Sequence, residues 1–342
     1  MKNILYYLMM MAVVIPSCRE PEDDNPVGEP KQMILTVKDL DFVTIELSGS
    51  GSVTIDWGDD SDIETHQFSS GYSKYEHSYS DLASTRTITI TGANVEGLVC
   101  NKIQLTDLDV SDNTRLIGLY CDHNLLNDID VSKNAHLESL SCNNNMLTSL
   151  DVSQNAKLTT LWCHANLMES LDVSKNIALT KFHCNHNRLT ILDVSKNLIL
   201  RELYCNNNRL TNLIVTTNAA LREIDCSGNR LTSLELTGRN NLHKINCSNN
   251  ELENLVATNN AVLTSLNCSR NRLEKLDMTN NNVLSELYCG SNRLDADALN
   301  KLFLTLHNNK TVSGEKVVYI FGNPGMYTCD DKLATARGWE VE

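Results

Sequence analysis

The sequence predicts a mostly β protein of the α+β class: a small N-terminal antiparallel β-sandwich, a solenoid of about ten 21-residue coils and an α/β C-terminal cap. Three observations predict this. Cysteine recurs every 21 residues from Cys100 to Cys289, a period typical of stacked-coil solenoids. Residues 32–97 alternate β-branched with polar residues, and residues 295–306 carry apolar residues at helical spacing. The predicted segments are a leader at 1–18, a tether at 19–31, the β-domain at 32–97, the solenoid at 98–294 and the cap at 295–342.

Each repeat follows the pattern LxCxxNxLxxLDVSxNxxLxx, which is clearest between Leu119 and Leu137. Its two halves, LxCxxNxL and LxVSxNxxL, each place two apolar residues two positions apart. That spacing puts both side chains on the same side of an extended strand. We therefore expect two short strands in every coil, both with their apolar residues inward.

Asparagine recurs in both halves of the repeat. A first series follows the cysteines by three residues: Asn124, Asn145, Asn166, Asn187, Asn208, Asn229, Asn250, Asn271 and Asn292. A second series consists of Asn113, Asn134, Asn155, Asn176, Asn197 and Asn218. We expect these side chains to hydrogen-bond loop backbone groups that would otherwise be buried unpaired. Arg239 interrupts the second series, and we expect a local bulge there.

The repeat resembles the leucine-rich repeat family, and most closely its 21-residue class with nested half-repeats, called IRREKO. The resemblance covers roughly residues 98–294 and is internalin-like. It implies a right-handed leucine-rich repeat solenoid that recognises proteins or glycans, without identifying the ligand. No Walker loop, HExxH, GxSxG or clustered CxxC motif is present, so we expect no enzyme activity and no cofactor.

The N-terminal residues predict a lipid anchor. Residues 1–18 hold one basic residue, Lys2, before an apolar segment too short to span a bilayer. Ile15-Pro16-Ser17-Cys18 resembles the lipobox of bacterial lipoproteins, which implies a lipid on Cys18. The alternative is an ordinary signal peptide with an incidental cysteine.

Residues 19–31 are rich in proline and acidic residues and predict an extended tether. An acidic run in this position resembles the surface-export signal of Bacteroidetes lipoproteins. We therefore expect an outer-membrane lipoprotein of the bacterial cell envelope, exposed at the surface, with a periplasm-facing anchor as the alternative. The formal charge of −14 argues against nucleic-acid partners and against docking on anionic lipid, so the membrane contact is through the N-terminal lipid only.

The β-domain carries VTIDWGDDS, followed by HSYS and TITITG, and so resembles the polycystic-kidney-disease-type β-sandwich. Trp57 and Tyr79 are expected in its core. The nearby aspartates suit tight turns, and a calcium site is the alternative; they are Asp56, Asp59, Asp60 and Asp62. This domain is expected to cover the open end of the first coil.

Three further columns of the repeat are interpreted as structural. The cysteines are interpreted as reduced core residues, because strands about 4.8 Å apart hold Cβ atoms farther apart than a relaxed disulfide allows; metal binding or redox chemistry is the alternative. The outward aspartates are interpreted as a solvated face, with calcium bridging as the alternative: Asp109, Asp130, Asp151, Asp172, Asp193 and Asp277. A series of arginines is interpreted as long side chains that cover apolar loops, with an anion-binding ridge as the alternative: Arg188, Arg209, Arg230, Arg272 and Arg293.

The residues between leucine and cysteine are expected to face outward, where the framework makes no demand on them. Large side chains in this column therefore predict a binding surface. The candidate ligand-binding residues are Tyr120, Trp162, His164, Lys181, His183, His186 and Tyr204. Alternatives are neutral surface filling and a zinc site on the three histidines; no catalytic or metal residue is predicted.

The sequence thus predicts an adhesin-like protein that binds a host or microbial surface protein, or a glycan. The competing hypothesis is a structural spacer or shield on the cell envelope that binds nothing.

Overall fold

A computed structural model describes residues 31–80, 85–309 and 315–342. The predictions on the leader, Cys18 and nearly all of the tether lie outside these residues. The N-terminal strands are β1 (Gln32–Val37), β2 (Phe42–Gly49), β3 (Ser52–Asp56), β4 (Glu64–Gln67), β5 (Ser73–Ser78), β6 (Arg86–Thr91), β7 (Val95–Val99) and β8 (Leu105–Asp109).

These strands form two sheets around one core. The first sheet has the order β4-β3-β6-β1-β8, and the second begins β5-β2-β7. Alternating residues of β1, β2 and β3 are buried, as their period of two requires. Trp57 and Tyr79 lie in this core, as expected. The Trp57 Nε1–H donates to Glu64 Oε1 at 2.9 Å, and the Tyr79 hydroxyl donates to the Trp57 carbonyl at 3.0 Å.

The aspartates after β3 build the turn itself. Asp56 Oδ1 accepts the Gly58 N–H at 2.9 Å, and Asp59 Oδ1 accepts the Ser61 N–H at 3.2 Å. The other carboxylate oxygen of Asp59 lies 2.8 Å from His77 Nε2. The hydrogen bonds with Ser61 and His77 outweigh the cost of burial and lower the pKa of Asp59 to about 2. The carboxylates of Asp56 and Asp59 therefore serve as turn-stabilising acceptors.

The second sheet continues from the N-terminal domain into the solenoid, because β7 pairs in parallel with the first repeat strand. The repeat strands are β9 (Gly118–Tyr120), β10 (Ser139–Ser141), β11 (Thr160–Trp162), β12 (Lys181–His183), β13 (Glu202–Tyr204), β14 (Glu223–Asp225), β15 (Ser233–Glu235), β16 (Lys244–Asn246), β17 (Asn254–Val256), β18 (Ser265–Asn267) and β19 (Glu286–Tyr288). All except β15 and β17 join one parallel sheet with a 21-residue register.

The interior of the solenoid is formed by the central residue of each strand and the cysteine that follows it. Leu203 and Cys205, for example, have no exposed surface. The ten repeat cysteines are all buried as free thiols. Burial raises the pKa of Cys163 and Cys268 to about 12, so they behave as small apolar side chains.

The expectation of a second strand in every coil is wrong for most of the solenoid. In the coil of Val131, Asp130 Oδ1 accepts the Ser132 N–H at 2.8 Å, and the Val131 carbonyl accepts the Asn134 N–H at 3.0 Å. These bonds close a turn. The same two bonds follow β8, which pairs with β1, so the second half of a coil forms a strand only where a partner strand lies beside it. Ile129 and Val131 are nevertheless buried, so the inward direction of the pattern holds.

The bulge expected at Arg239 is also absent. There the second half is a strand, and β15 pairs with β17 in an uninterrupted register. The Arg239 N–H donates to Asn260 Oδ1 in the next coil at 2.7 Å, and Gly238 takes the left-handed conformation with φ of 66°. The Arg239 N–H thus bonds to the next coil, where its equivalent at Asn134 bonds within its own coil, and the repeat keeps its length.

The first asparagine series joins successive coils. The side chain of Asn208 donates to the carbonyls of Cys184 and Cys205 at 3.0 and 3.1 Å, and its Oδ1 accepts the Leu189 N–H at 3.0 Å. The second series joins coils through its donors alone. Asn176 donates to the carbonyls of Val152 and Asn155 in the preceding coil, and its Oδ1 has no hydrogen-bond partner among the described residues. Each amide of the first series thus satisfies backbone groups of two coils in the dry interior.

The C-terminal cap begins with helix α1 (Ala296–Thr305). Its N-cap residue, Asp295, accepts the Ala298 N–H at 2.8 Å. It is followed by β20 (Val317–Tyr319), α2 (Lys332–Thr335) and β21 (Glu340–Val341). No helix in the described ranges is both long and apolar enough to cross a bilayer.

The strand β20 belongs to the solenoid. It pairs in parallel with β19, and Asn323 donates to the carbonyls of Cys289 and Ile320 just as the repeat asparagines do. The solenoid therefore has about eleven coils, where the cysteine count predicted ten.

We predict that Asn208→Ala lowers the free energy of unfolding by about 3 kcal/mol or more, because three buried backbone groups lose their partner. Asn206→Ala is the control: its side chain lies at the surface of the same coil, and a change within about 0.5 kcal/mol is expected. Urea unfolding of both variants tests this. Equal stabilities would mean that the buried amide does not join the coils.

Candidate binding face

The outward column of the parallel sheet carries a row of stacked rings. Strand pairing places Trp162 opposite His183, and His183 opposite Tyr204. The Trp162 and His183 ring centroids lie 5.8 Å apart with an interplanar angle of 20°. The centroids of His183 and Tyr204 lie 4.4 Å apart at 18°. We call Trp162, His183 and Tyr204 the aromatic row; its rings face one another and turn their edges to solvent.

The row is closed on its N-terminal side. Ser141 occupies the same outward column, yet it has no exposed surface, so the larger groups around it leave no gap. Its hydroxyl donates to Asp122 Oδ1 at 2.5 Å, and Asn143 donates to the same oxygen at 2.6 Å. Burial raises the pKa of Asp122 to about 6. Beyond Ser141, Tyr120 meets Tyr72 of the N-terminal domain edge to face, with centroids 6.3 Å apart.

Charged side chains of β12, β13 and β14 hold the aromatic row in place. Lys181 Nζ lies 3.1 Å from Glu202 Oε1, and His183 Nε2 lies 3.8 Å from Glu202 Oε2. The proximity of His183 and Lys181 lowers the pKa of Glu202. The Tyr204 hydroxyl donates to Glu223 Oε2 at 2.8 Å, and burial together with this bond raises the pKa of Tyr204. The rings are therefore held in place before any partner arrives.

Two polar atoms of the row are enclosed and have no hydrogen-bond partner among the described residues: Trp162 Nε1, and His183 Nε2, whose nearest carboxylate oxygen on Glu202 is 3.8 Å away. An enclosed polar atom without a hydrogen bond costs free energy.

Histidines gather beside the row on the turn that follows the strands. His164 is partly buried, and its pKa is lowered to about 4 by burial and by His183, His186 and His123. His186 is exposed in the left-handed conformation, with its Nε2 3.3 Å from Asn207 Nδ2. Within the described residues, no three or more His, Cys, Asp or Glu side chains are grouped to hold a metal ion.

No family model matches the chain, and no curated protein matches it in sequence. Solved structures, in contrast, are similar to this chain. The functional domain of InlJ from Listeria monocytogenes, which includes a cysteine ladder, is 32% identical with a TM-score of 0.63 over 72% of this chain. The protein is a leucine-rich repeat solenoid related to the internalins. The match spans 53% of the InlJ chain, so this solenoid corresponds to about half of that relative's length.

Two more distant structures share the leucine-rich repeat fold. YopM from Yersinia pestis is 21% identical with a TM-score of 0.51, and the match covers 67% of this chain and 66% of YopM. The leucine-rich repeat domain of APL1B is 19% identical with a TM-score of 0.51, and the match covers 68% of this chain and 75% of APL1B.

The structure brings together some of the predicted binding residues of the leucine-rich repeat solenoid. Trp162, His183 and Tyr204 form the row, with Lys181 and His164 beside it. Tyr120 faces the N-terminal domain instead, and His186 lies on the exposed turn.

Sequence reasoning missed Glu202, Glu223 and Tyr319, whose ring centroid lies 4.4 Å from that of Tyr288 in the outward column. The 21-residue register alone places Glu202 beside Lys181. The motif VYIFGN at 318–323 repeats LYCGSN at 287–292, and this similarity could have identified Tyr319.

We predict that His164→Asn reduces the loss of stability in acid. The pKa of His164 in the folded chain, about 4, lies below its ordinary 6.5. Between these values the unfolded chain binds more protons, so stability falls as pH falls from 6.5 to 4. Asparagine stands at the equivalent position of neighbouring coils and does not titrate. Melting temperatures at pH 7 and pH 4.5 should fall less for the variant; equal falls would contradict the burial of His164.

Proposed function

We propose that this leucine-rich repeat solenoid is a surface-anchored, adhesin-like lipoprotein that binds another macromolecule, a protein or a glycan, through the aromatic row. The observation that supports this is the row itself. Three consecutive coils carry large rings at an outward position where the fold requires no particular residue. Asn246 and Asn267 occupy the same column farther along the sheet, so the framework accepts small polar residues there.

The physical state of the rings supports binding. Each ring sits one residue from a core residue, and parallel pairing fixes its strand on both sides. Little side-chain entropy is left to lose when a partner orders the surface. Aromatic side chains held in this way are typical of the few residues that supply most of an interface's binding energy.

The relationship to InlJ supports the same proposal, because the matched region of that bacterial protein is described as its functional domain. The non-binding spacer is less favoured, since a spacer gains nothing from an aromatic cluster confined to three coils. A host or microbial surface protein and a glycan are the two partner classes that suit an exposed envelope protein.

The anchor and its position are part of the proposal. Cys18, at the end of a lipobox-like segment, would carry the lipid, and the acidic tether would hold the chain clear of the outer membrane. The N-terminal β-domain, proposed as a polycystic-kidney-disease-type module, would stand between the tether and the solenoid. A periplasm-facing anchor is the alternative orientation.

We predict that replacing Trp162 and Tyr204 together by alanine weakens partner binding at least tenfold, about 1.4 kcal/mol. Partners would be found by probing a glycan and matrix-protein array with the purified protein, and affinities measured by surface plasmon resonance. Folding should survive, because neither ring fills the interior.

The control variant is Ile191→Ala with Ile214→Ala. These side chains are 74% and 56% exposed in the second half of the repeat, so they match the loss of apolar surface without touching the row. Binding should not change in the control. A double aromatic variant that binds as tightly as the wild type would show that the rings are surface filling.

We predict that Cys18→Ala releases the protein from membranes into the soluble fraction, because a single acidic tether has no affinity for anionic lipid. Metabolic labelling with palmitate should mark the wild type and not the variant. Unlabelled, freely soluble wild-type protein would contradict the lipid anchor. Surface display is tested by protease treatment of intact cells, and protection of the wild type would indicate the periplasm-facing orientation.

A further inference from the structure

A second surface of the solenoid repeats one short motif in three consecutive coils. The sequence NRLT occurs at 187–190, 208–211 and 229–232, on the turn that follows the sheet strand. In each copy the leucine is buried, while the arginine and threonine on either side of it are exposed. We call these six residues the arginine–threonine array: Arg188, Thr190, Arg209, Thr211, Arg230 and Thr232.

The backbone fixes the spacing of the array. The N–H groups of Arg188, Arg209 and Arg230 donate to carbonyls of the preceding coil at 2.8–2.9 Å. Each arginine is therefore held one coil from the next, at about the 4.8 Å spacing of paired strands. The arginine and the threonine flank the same buried leucine and are both exposed, so every coil presents one guanidinium and one hydroxyl at this surface.

The charges of the array are not compensated within the described residues. The three guanidinium groups make no ion pair or side-chain hydrogen bond there. Like charges one strand spacing apart repel, so placing three in succession is unfavourable without a partner.

The fold does not require arginine at these positions. Leu125, Met146 and Leu167 occupy the same position in the preceding coils. If the side chains at these positions only covered the loops, uncharged residues would do so equally well.

The array has sharp ends. On one side the coil carries Leu167 and Glu169 in place of the arginine and threonine. On the other side it carries Glu251 and Glu253, and Glu251 pairs with Arg272 at 2.9 Å. The later copies of the motif end in an acid, Glu274 or Asp295, where the array has threonine. Uncompensated arginine with threonine is thus confined to three adjacent coils.

We propose that the arginine–threonine array binds a linear acidic polysaccharide, one acidic sugar to each coil. A guanidinium group binds a carboxylate or sulfate through two parallel hydrogen bonds, and the adjacent threonine offers a hydroxyl to the sugar ring. This site is separate from the aromatic row and goes beyond the proposed function.

The spacing favours a polysaccharide over other polyanions. One coil step of about 4.8 Å is close to the length of one pyranose ring. An extended acidic peptide presents same-side carboxylates about 6.6 Å apart. Neighbouring phosphates of a nucleic-acid strand are separated by a whole sugar-phosphate unit, which is also longer than one coil step. The acidic chain as a whole, at −14, also disfavours unspecific attraction of polyanions.

The test is isothermal titration of the purified full-length protein with polygalacturonate, which carries carboxylates, and with a heparin-type glycan, which carries sulfates. Binding should weaken as salt rises. The variant with Arg188→Ala, Arg209→Ala and Arg230→Ala should bind at least tenfold more weakly. Replacing the three threonines by valine, which keeps their shape, should weaken binding several-fold. The ratio of the two affinities identifies the anionic group.

Two control variants separate this site from its surroundings. Arg293→Ala removes an exposed arginine of the same column outside the array, and Trp162→Ala with Tyr204→Ala removes the aromatic row. Both variants should bind the polysaccharide as tightly as the wild type does, whether or not the aromatic row binds a partner of its own. The proposal is wrong if neither acidic polymer binds at low salt or if the triple arginine variant binds equally well. It is equally wrong if neutral dextran, single-stranded DNA or polyglutamate binds as tightly.

Discussion

The interaction on which the rest of the structure depends is the buried asparagine amide shared by two coils. A coil of 21 residues contains only one three-residue strand in most of the solenoid, so most of its backbone groups have no partner within a sheet. Asn208 and its equivalents supply those partners with two donors and one acceptor, all aimed at backbone atoms. Because the amide must reach the same atoms in every coil, the 21-residue period is kept from Cys100 to Cys289. The longer last coil holds α1 and still brings Asn323 to the same contacts.

That strict period determines what the surface can present. Every outward position becomes a column with one side chain to each coil. Stacked rings such as Trp162 and His183, and evenly spaced charges such as Arg188 and Arg209, arise from substitutions at single positions of an unchanging frame. The buried cysteine suits the same frame, since it fills the narrow interior beside leucine without adding a polar group that needs a partner. Recognition surfaces can therefore change without changing the core.

The repeat, its inward residues and the mostly β architecture could be predicted because they follow from spacing alone. The number of strands could not, because the second half of a coil forms a strand only where a partner strand lies beside it, as β1 lies beside β8 and β17 beside β15. The eleventh coil was missed because Ile320 stands where the marker cysteine should be. In the candidate site, the outward column was predictable from register, but the contacts of Glu202 with Lys181 and of Tyr204 with Glu223 depend on side-chain conformations that a one-dimensional pattern does not contain.

Hydrogen exchange at single amides tests the central role of the asparagine most directly. The N–H groups of Leu189, Leu210 and Leu231 donate to asparagine side chains, whereas those of Cys184, Cys205 and Cys226 donate to the backbone of the next coil. If the amides join the coils, the leucine N–H groups should exchange as slowly as the cysteine N–H groups. Leucine amides that exchange at the rate of exposed loops, while the cysteine amides stay protected, would contradict this account.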